Sequence, residues 1–329
     1  MLKRQIKLAL LIVVGAMFII TAVGCPNTSQ KPNLPKNKQQ DNQQKKPQVA
    51  GGKEPKITLF ISETGEKKEL KIEEYLKGVV AAEMDTSWPA EALAAQAILA
   101  RTFTMKKIQE GGVEKRGTDA STSVEEFQAY DVKRINSRVE QAVKQTRGEV
   151  VTYKGDYING WFFADAGGVT SDSADEGLAF RKEPAPYIHS VKDPGFAITE
   201  KDNKAWTASF PLSEVRQAVK EKAGKDPGAV NTVKITKKGP SGRATVIKLG
   251  NTTVSGPALR LALGSTEMRS TLLDSITVQG NNLVVKGKGY GHGVGMSQWG
   301  ARALAEEGKS PEEIVKYFFK DVQVQKVWE

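Results

Sequence analysis

The sequence predicts an α+β fold, with mixed helices and mostly antiparallel strands in one folded domain that carries an inserted β-rich region. Three features lead there. Apolar residues recur at helical spacing in residues 72–109 and again in 296–319. Between them lie short β-rich runs divided by Gly, Asn and Asp turns. Strands and helices do not alternate regularly, as a parallel βαβ sheet requires.

The folded part begins at Ile57-Thr-Leu-Phe-Ile61, a β-rich run, followed by a polar turn at Glu63-Thr-Gly-Glu66 and a second extended stretch toward Leu70. Ile72, Leu76, Val79 and Val80 then mark one helical face, and Glu83 falls on the same stripe. After a break at 85–88, Pro89 opens an Ala-rich helix that runs to about Gln109 and stops at Gly111-Gly112. Next come a helix from about Ile135 to Gln145 and strands at 149–153 and 157–163, joined by Lys154-Gly-Asp156. Further strands are expected at 233–237, 244–249, 276–279 and 283–286, the last pair joined by Gly280-Asn-Asn282. The C-terminal part reads as a glycine-rich loop at 287–295, a helix from Met296 to about Glu307, a helix over 311–319 and a short strand.

At 329 residues and 39% hydrophobic content the chain can bury a substantial core. Its net charge of +10 suggests nucleic acid until it is divided along the chain. Residues 1–25 supply +3 through Lys3, Arg4 and Lys7, and residues 26–56 supply +5, from seven Lys against Asp41 and Glu54. Only +2 remains for residues 57–329, so no nucleic-acid partner is expected, because such a binder carries its charge on the folded domain.

Residues 1–25 have the parts of an export signal: a basic start, an apolar run from Leu8 to Val23, and small residues at the exit. Thr21-Ala-Val-Gly-Cys25 resembles a lipobox, which would leave Cys25 lipidated after cleavage. An uncleaved anchor is the alternative, since the apolar run approaches the lower limit of about 17 residues for a spanning helix. Either way the expected place is extracytoplasmic and anchored to the membrane. Residues 26–56 are rich in Asn, Gln, Lys and Pro and form a flexible tether, whose random-coil span for about 30 residues is roughly 30 Å. Residues 57–329 form the folded domain. Cys25 is the only cysteine, which excludes an intramolecular disulfide or a thiolate metal cage. With His189 and His292 as the only imidazoles, no metal and no cofactor are expected.

Two constellations carry chemistry. Glu83 shares the buried face of its helix with Val79 and Val80. A carboxyl that loses solvation has a raised pKa, the condition for a general acid near neutral pH. The same pattern also fits a Glu near a helix end that reaches solvent or pairs with Arg101. The second constellation is Gly287-Lys-Gly-Tyr-Gly-His-Gly-Val-Gly-Met-Ser-Gln-Trp-Gly300, with six glycines running into a helix. Its backbone amides and Ser297 suit hydroxyl, acetamido or carboxylate groups, and the segment equally fits a tight strand-to-helix turn. It lacks the Gly-Lys-Ser/Thr ending of a phosphate loop. Tyr290, Trp299, Trp161 and Trp88 offer faces for sugar stacking or for a core.

These segments resemble the stage II sporulation protein D and amidase-enhancer family of cell-wall proteins. The first match is Glu74-Tyr-Leu-Lys-Gly-Val-Val-Ala-Ala-Glu-Met84, then Trp88-Pro89 and Glu91-Ala-Leu-Ala-Ala-Gln-Ala-Ile-Leu-Ala-Arg-Thr102. The second centres on Gly291-His-Gly-Val-Gly-Met-Ser-Gln298, and Ser241-Gly-Arg243, Ser255-Gly256, Leu259-Arg260 and Leu263-Gly264 also follow the family pattern. The resemblance implies a lytic transglycosylase acting on peptidoglycan glycan strands stripped of stem peptides, with Glu83 as the catalytic acid. A hydrolytic glycosidase usually needs a paired carboxylate, whereas ring-closing cleavage can use one group as acid and then base. One departure stands out. Family members often carry a Cys-containing segment with a nearby His that in some binds zinc, whereas Thr118–Tyr130 here has neither residue.

The competing expectation is a non-catalytic wall-binding module that enhances a cell-wall amidase, and a third is a structural partner in a membrane complex at sporulation. Arg101, Gln96, Tyr290, His292, Ser297 and Gln298 are the expected substrate-binding or supporting residues. Arg101 is expected to contact substrate or structure, because pairing with Glu83 would lower the pKa that a general acid needs raised.

Overall fold

In the computed structural model, residues 52–329 are described; the leader, Cys25 and the tether up to residue 51 lie outside the described residues. Two hydrophobic cores organise the chain. One gathers side chains from residues 57–188 and 294–328, and the other gathers residues 206–285. The second core is the β-rich insert, placed between the two halves of the first.

The body starts with the antiparallel hairpin β1 (Lys56–Phe60) and β2 (Lys67–Lys71), which runs straight into α1 (Ile72–Glu83). The central helix α2 (Ala90–Gln109) is buried along residues 92–102, and its alanines let neighbours approach from several sides. β3 (Ala120–Ser121) joins β1 in parallel. Asn136 caps α3 (Ser137–Gln145), accepting from the amides of Arg138 and Val139, and α3 packs on α1 and α2.

β4 (Glu149–Tyr153) and β5 (Asp156–Tyr157) form the next hairpin. The single strand expected over 157–163 is instead broken, and only β6 (Phe162–Phe163) follows. Gly160 explains the break: it sits at φ +51°, and a Cβ there would lie 2.9 Å from the carbonyl oxygen of Leu99. The backbone touches α2 too closely to keep a pleat. Short helices α4 (Ala174–Leu178), α5 (Gly195–Ile198) and α6 (Lys201–Lys204) lead to the insert.

The insert contains β7 (Trp206–Pro211), α7 (Leu212–Lys222), β8 (Val233–Lys238), β9 (Ala244–Leu249), β10 (Thr252–Ser255), α8 (Gly256–Leu263), β11 (Leu273–Gln279) and β12 (Asn282–Gly287). Its sheets are antiparallel, in the orders β10-β9-β8 and β11-β12-β7. The chain then returns to the body through β13 (Met296–Ser297), α9 (Gln298–Glu306), α10 (Pro311–Phe318) and β14 (Gln323–Lys326). β13 pairs in parallel with β6, and β14 pairs with β4, so the C-terminal segment closes the first core. Among the described residues no helix is long and apolar enough to cross a membrane.

Candidate functional site

Glu83 is the last residue of α1, on the face that packs against α2, and it is 1% exposed. The carbonyls at this helix end are satisfied from outside. The Arg134 guanidinium donates to the carbonyl oxygens of Ala82 and Met84 at 3.3 and 3.1 Å, and Gln298 Nε2 donates to that of Glu83 at 3.0 Å. The carboxyl is not satisfied in the same way. Its Oε1 accepts one bond, from the Ala129 amide at 2.9 Å, and its Oε2 is buried without a partner.

Burial pushes the Glu83 pKa up to about 8, against the opposing pull of the Ala129 amide. A position in the last helical turn, where anionic charge is disfavoured, acts in the same direction. The group therefore holds its proton at neutral pH. Oε1 already accepts, so Oε2 is the atom placed to carry the proton.

The cover over Glu83 is the stretch 118–130, where the resemblance implied a Cys-containing loop. Phe127 packs edge-on against Phe103 with centroids 5.3 Å apart, and Gln128 Nε2 donates to Thr104 Oγ1 at 3.0 Å. Tyr130 stacks on Tyr75 at 5.6 Å and lies across Gly78, where a Cβ would come within 2.3 Å of its ring. Arg116 grips Glu126 at 2.7–3.2 Å, and that bond holds the Glu126 carboxyl at about 2. Packing and this ion pair fix the segment. Its donor set of hydroxyls, amides and carboxylates, with no thiolate or imidazole, does not fit a zinc ion.

The remaining expected residues divide into three groups. Gln96 and Gln298 join Glu83: both are fully buried, Gln298 Nε2 lies 3.4 Å from Gln96 Oε1, and Gln96 Nε2 and Gln298 Oε1 have no partner. Arg101 does not join them. It is fully buried at the opposite end of α1, where Nε and Nη2 donate to Glu73 at 3.0 and 2.6 Å and Nη1 donates to the Glu149 carbonyl at 3.0 Å. Of the two contacts expected of it, with substrate or with structure, this geometry favours the second, because its donors are spent inside the core. Trp161 is likewise core, 5% exposed and edge-on to Phe180.

Tyr290, His292 and Ser297 belong to the glycine-rich loop. Gly289, Gly291, Gly293 and Gly295 all have positive φ, and a Cβ on Gly293 would lie 2.4 Å from Arg243 Nε. Burial, with Arg260 and Arg243 nearby, pushes the His292 imidazole down to about 3, and its Nδ1 accepts from the Val294 amide at 3.1 Å. It is a neutral, buried turn residue. Ser297 caps α9 by accepting from the Gly300 amide at 3.1 Å and donates to Asp193 Oδ2 at 2.8 Å. Tyr290 is partly exposed beneath the Arg269 guanidinium, 4.9 Å from its ring.

Sequence reasoning missed the polar network around this loop. Arg243, from the insert, donates to the carbonyls of Ala166 and Val169 in the body, both at 2.9 Å. Burial and the neighbouring Asp193 charge raise Asp165 to about 7, and burial also raises Asp193. Aspartates flanked by Gly or Pro, as in Asp165-Ala-Gly-Gly and Asp193-Pro-Gly, were the available signal, since such turns fold carboxylates inward onto amides. Also missed were Arg134 and the Ala129 amide, for which no local pattern exists. Near the Glu83 end, Trp88 and Trp299 lie 4.7 Å apart, with the Arg302 guanidinium 5.3 and 5.1 Å from their rings.

Comparison with known proteins adds a family. A family model described as Stage II sporulation protein matches residues 61–153, which contain Glu83 and its cover. A second, a domain of unknown function (DUF8618), matches residues 187–295, which contain the insert. An uncharacterized protein of Brachyspira hyodysenteriae is 36% identical over 78% of this chain and 67% of its own length. Stage II sporulation protein D of Bacillus subtilis is 31% identical over 82% of this chain and 78% of its own. The amidase enhancer of the same organism is 30% identical over 74% of this chain and 39% of its own. The motifs, the matched segments and this extent of identity establish that the chain belongs to the stage II sporulation protein D family.

Proposed function

We propose that this protein is a peptidoglycan lytic transglycosylase that cleaves glycan strands lacking stem peptides, in sporulation or cell-wall remodelling. One observation carries the reading: a buried carboxyl, protonated at neutral pH, with one oxygen left free of any partner at Glu83. Glu83 donates its proton to the glycosidic oxygen as the C1–O bond breaks. The resulting carboxylate removes the proton from the muramoyl C6 hydroxyl, whose oxygen closes on C1 to give the 1,6-anhydro ring. The proton is returned and no water is consumed, so one carboxyl suffices. Gln96 and Gln298 supply unpaired amide groups beside it, and Trp88 with Trp299 offers an aromatic face. Mass spectrometry of products from denuded glycan tests the reading: 1,6-anhydromuramyl ends are expected, and unchanged release of them by Glu83→Gln would end it.

A second reading is a non-catalytic partner of a cell-wall amidase. It is favoured by the closed cover over Glu83 and by the similarity to an amidase enhancer. Wall co-sedimentation that survives Glu83→Gln, with amidase stimulation and no anhydro product from the wild type, would select it. In either reading we place the protein outside the cytoplasm, held to the membrane by lipidated Cys25 or an uncleaved anchor; labelling with a radioactive fatty acid, lost in Cys25→Ala, separates the two.

A further inference from the structure

The charge of +2 over residues 57–329 conceals two opposed parts. Residues 205–287, the insert, hold twelve Lys and Arg against five Asp and Glu, a net +7, so the remainder of the folded domain carries −5. Part of the positive charge is ordered into a face. In the β8–β9 pairing, Lys234 lies directly opposite Lys248, while the alternate pair Ile235 and Ile247 packs toward the insert's core. Lys237 lies opposite Val246, two residues from Lys248 and therefore on the same face, and Lys238 follows past a bulge. All four lysines are exposed. The insert's ion pairs among the described residues are those of Arg216 and Lys220 with Asp226, which leaves these four unpaired.

Like charges directly opposite one another destabilise a sheet. Lysine on an edge strand guards against pairing with another chain, which accounts for β8. It does not account for Lys248, because β9 is the middle strand with a neighbour on each side. Folding gains nothing from that pair, and a polyanion on this face would relieve it.

We propose that the lysine face of β8 and β9 binds the carboxylate-bearing glycan strand, an inference that rests on the substrate class proposed above. When a stem peptide is removed by cleavage of its amide bond, each muramic residue is left with a free lactyl carboxylate. The product is a regular polyanion, complementary to a row of unpaired ammonium groups. The insert then holds the polymer, and Glu83, in the other core, acts on it.

The test is co-sedimentation of the full chain with amidase-treated sacculi stripped of phosphate-containing polymers, comparing wild type with Lys234→Gln/Lys237→Gln/Lys248→Gln. At least a tenfold weaker retention and a shallower salt dependence are expected for the variant, with the same loss for wild type when the sacculus carboxylates are converted to amides. Equal retention of variant and wild type would overturn the proposal, whether or not the variant self-associates through an unguarded β8. Retention of wild type only on unstripped walls would also overturn it and assign the face to phosphate. The two proposals fail separately: the lysine variant is expected to lose wall retention while still giving anhydro products from soluble glycan, whereas Glu83→Gln is expected to sediment normally and lose its cleavage rate.

Discussion

Glu73 and Glu83 stand at opposite ends of α1, about 15 Å apart along the helix axis, and both are buried. Glu73 receives Nε and Nη2 of Arg101, the Gly148 amide at 3.0 Å and the Trp328 indole at 2.9 Å. It also sits in the first helical turn, where an anion is favoured. Glu83 receives one amide, faces no cation at its carboxyl and occupies the last turn, where an anion is disfavoured. The difference teaches that burial alone does not make a carboxyl reactive. A saturated set of donors turns a buried glutamate into a structural tie, and a withheld set turns it into an acid.

The comparison can be broken most sharply at Glu83 itself. Glu83→Gln is expected to lower the rate of anhydro-product formation by about 10²–10⁴-fold, while the variant stays folded and melts cooperatively. A collapse of the fold in this variant would show that Glu83, like Glu73, is a tie. Glu73→Gln or Arg101→Met should do the opposite. Each leaves a buried charge or its donors uncompensated and is expected to cost about 3–5 kcal/mol in denaturant unfolding, without touching the chemistry at Glu83.

The pH dependence of stability sharpens the contrast further. Glu83 is raised in the folded state, so its contribution is complete below about 4.5 and declines until pH reaches about 8. Melting curves of wild type and Glu83→Gln across that window should therefore diverge, with the variant gaining relative stability as pH rises. The rate should hold through that window and fall above about 8, as the acid loses its proton. The smallest effect is expected for Gln298→Ala, which strips the donor from the Glu83 carbonyl and should cost about 1–3 kcal/mol in unfolding, with a modest decrease in kcat.

Much of this site was legible in one dimension. The spacing of Ile72, Leu76, Val79 and Val80 placed Glu83 on a buried face, and Pro89 and Gly111-Gly112 bounded α2, because periodicity and chain breakers act locally. The α+β class and most strands followed from the same rules. β7 and α7 escaped: alternation over Trp206–Pro211 lasts only six residues, and it abuts a helix of low mean hydropathy. The strand expected over 157–163 failed because Gly160 meets a carbonyl of α2, a contact between residues far apart in the chain.

The partners of each buried charge followed another logic. Which of Glu73 or Glu83 receives Arg101 is decided by how α1, α2 and the C-terminal segment cross, not by any spacing along the chain. Where the resemblance implied a Cys-containing loop, Phe127, Gln128 and Tyr130 pack on α1 and α2, and that packing is visible only once the segment lies across Gly78 and Phe103.

By itself the sequence determined the class of fold, the helix that carries Glu83 and the side of that helix on which it lies, because these depend on residues within a few turns of one another. The tertiary structure decided which glutamate is neutralised, that His292 and Arg101 are internal, and that a net +2 divides into a basic insert on an acidic body. The physical reason is range: backbone propensity and apolar periodicity are short-range, whereas desolvation and the pairing of charges depend on what the rest of the chain brings alongside.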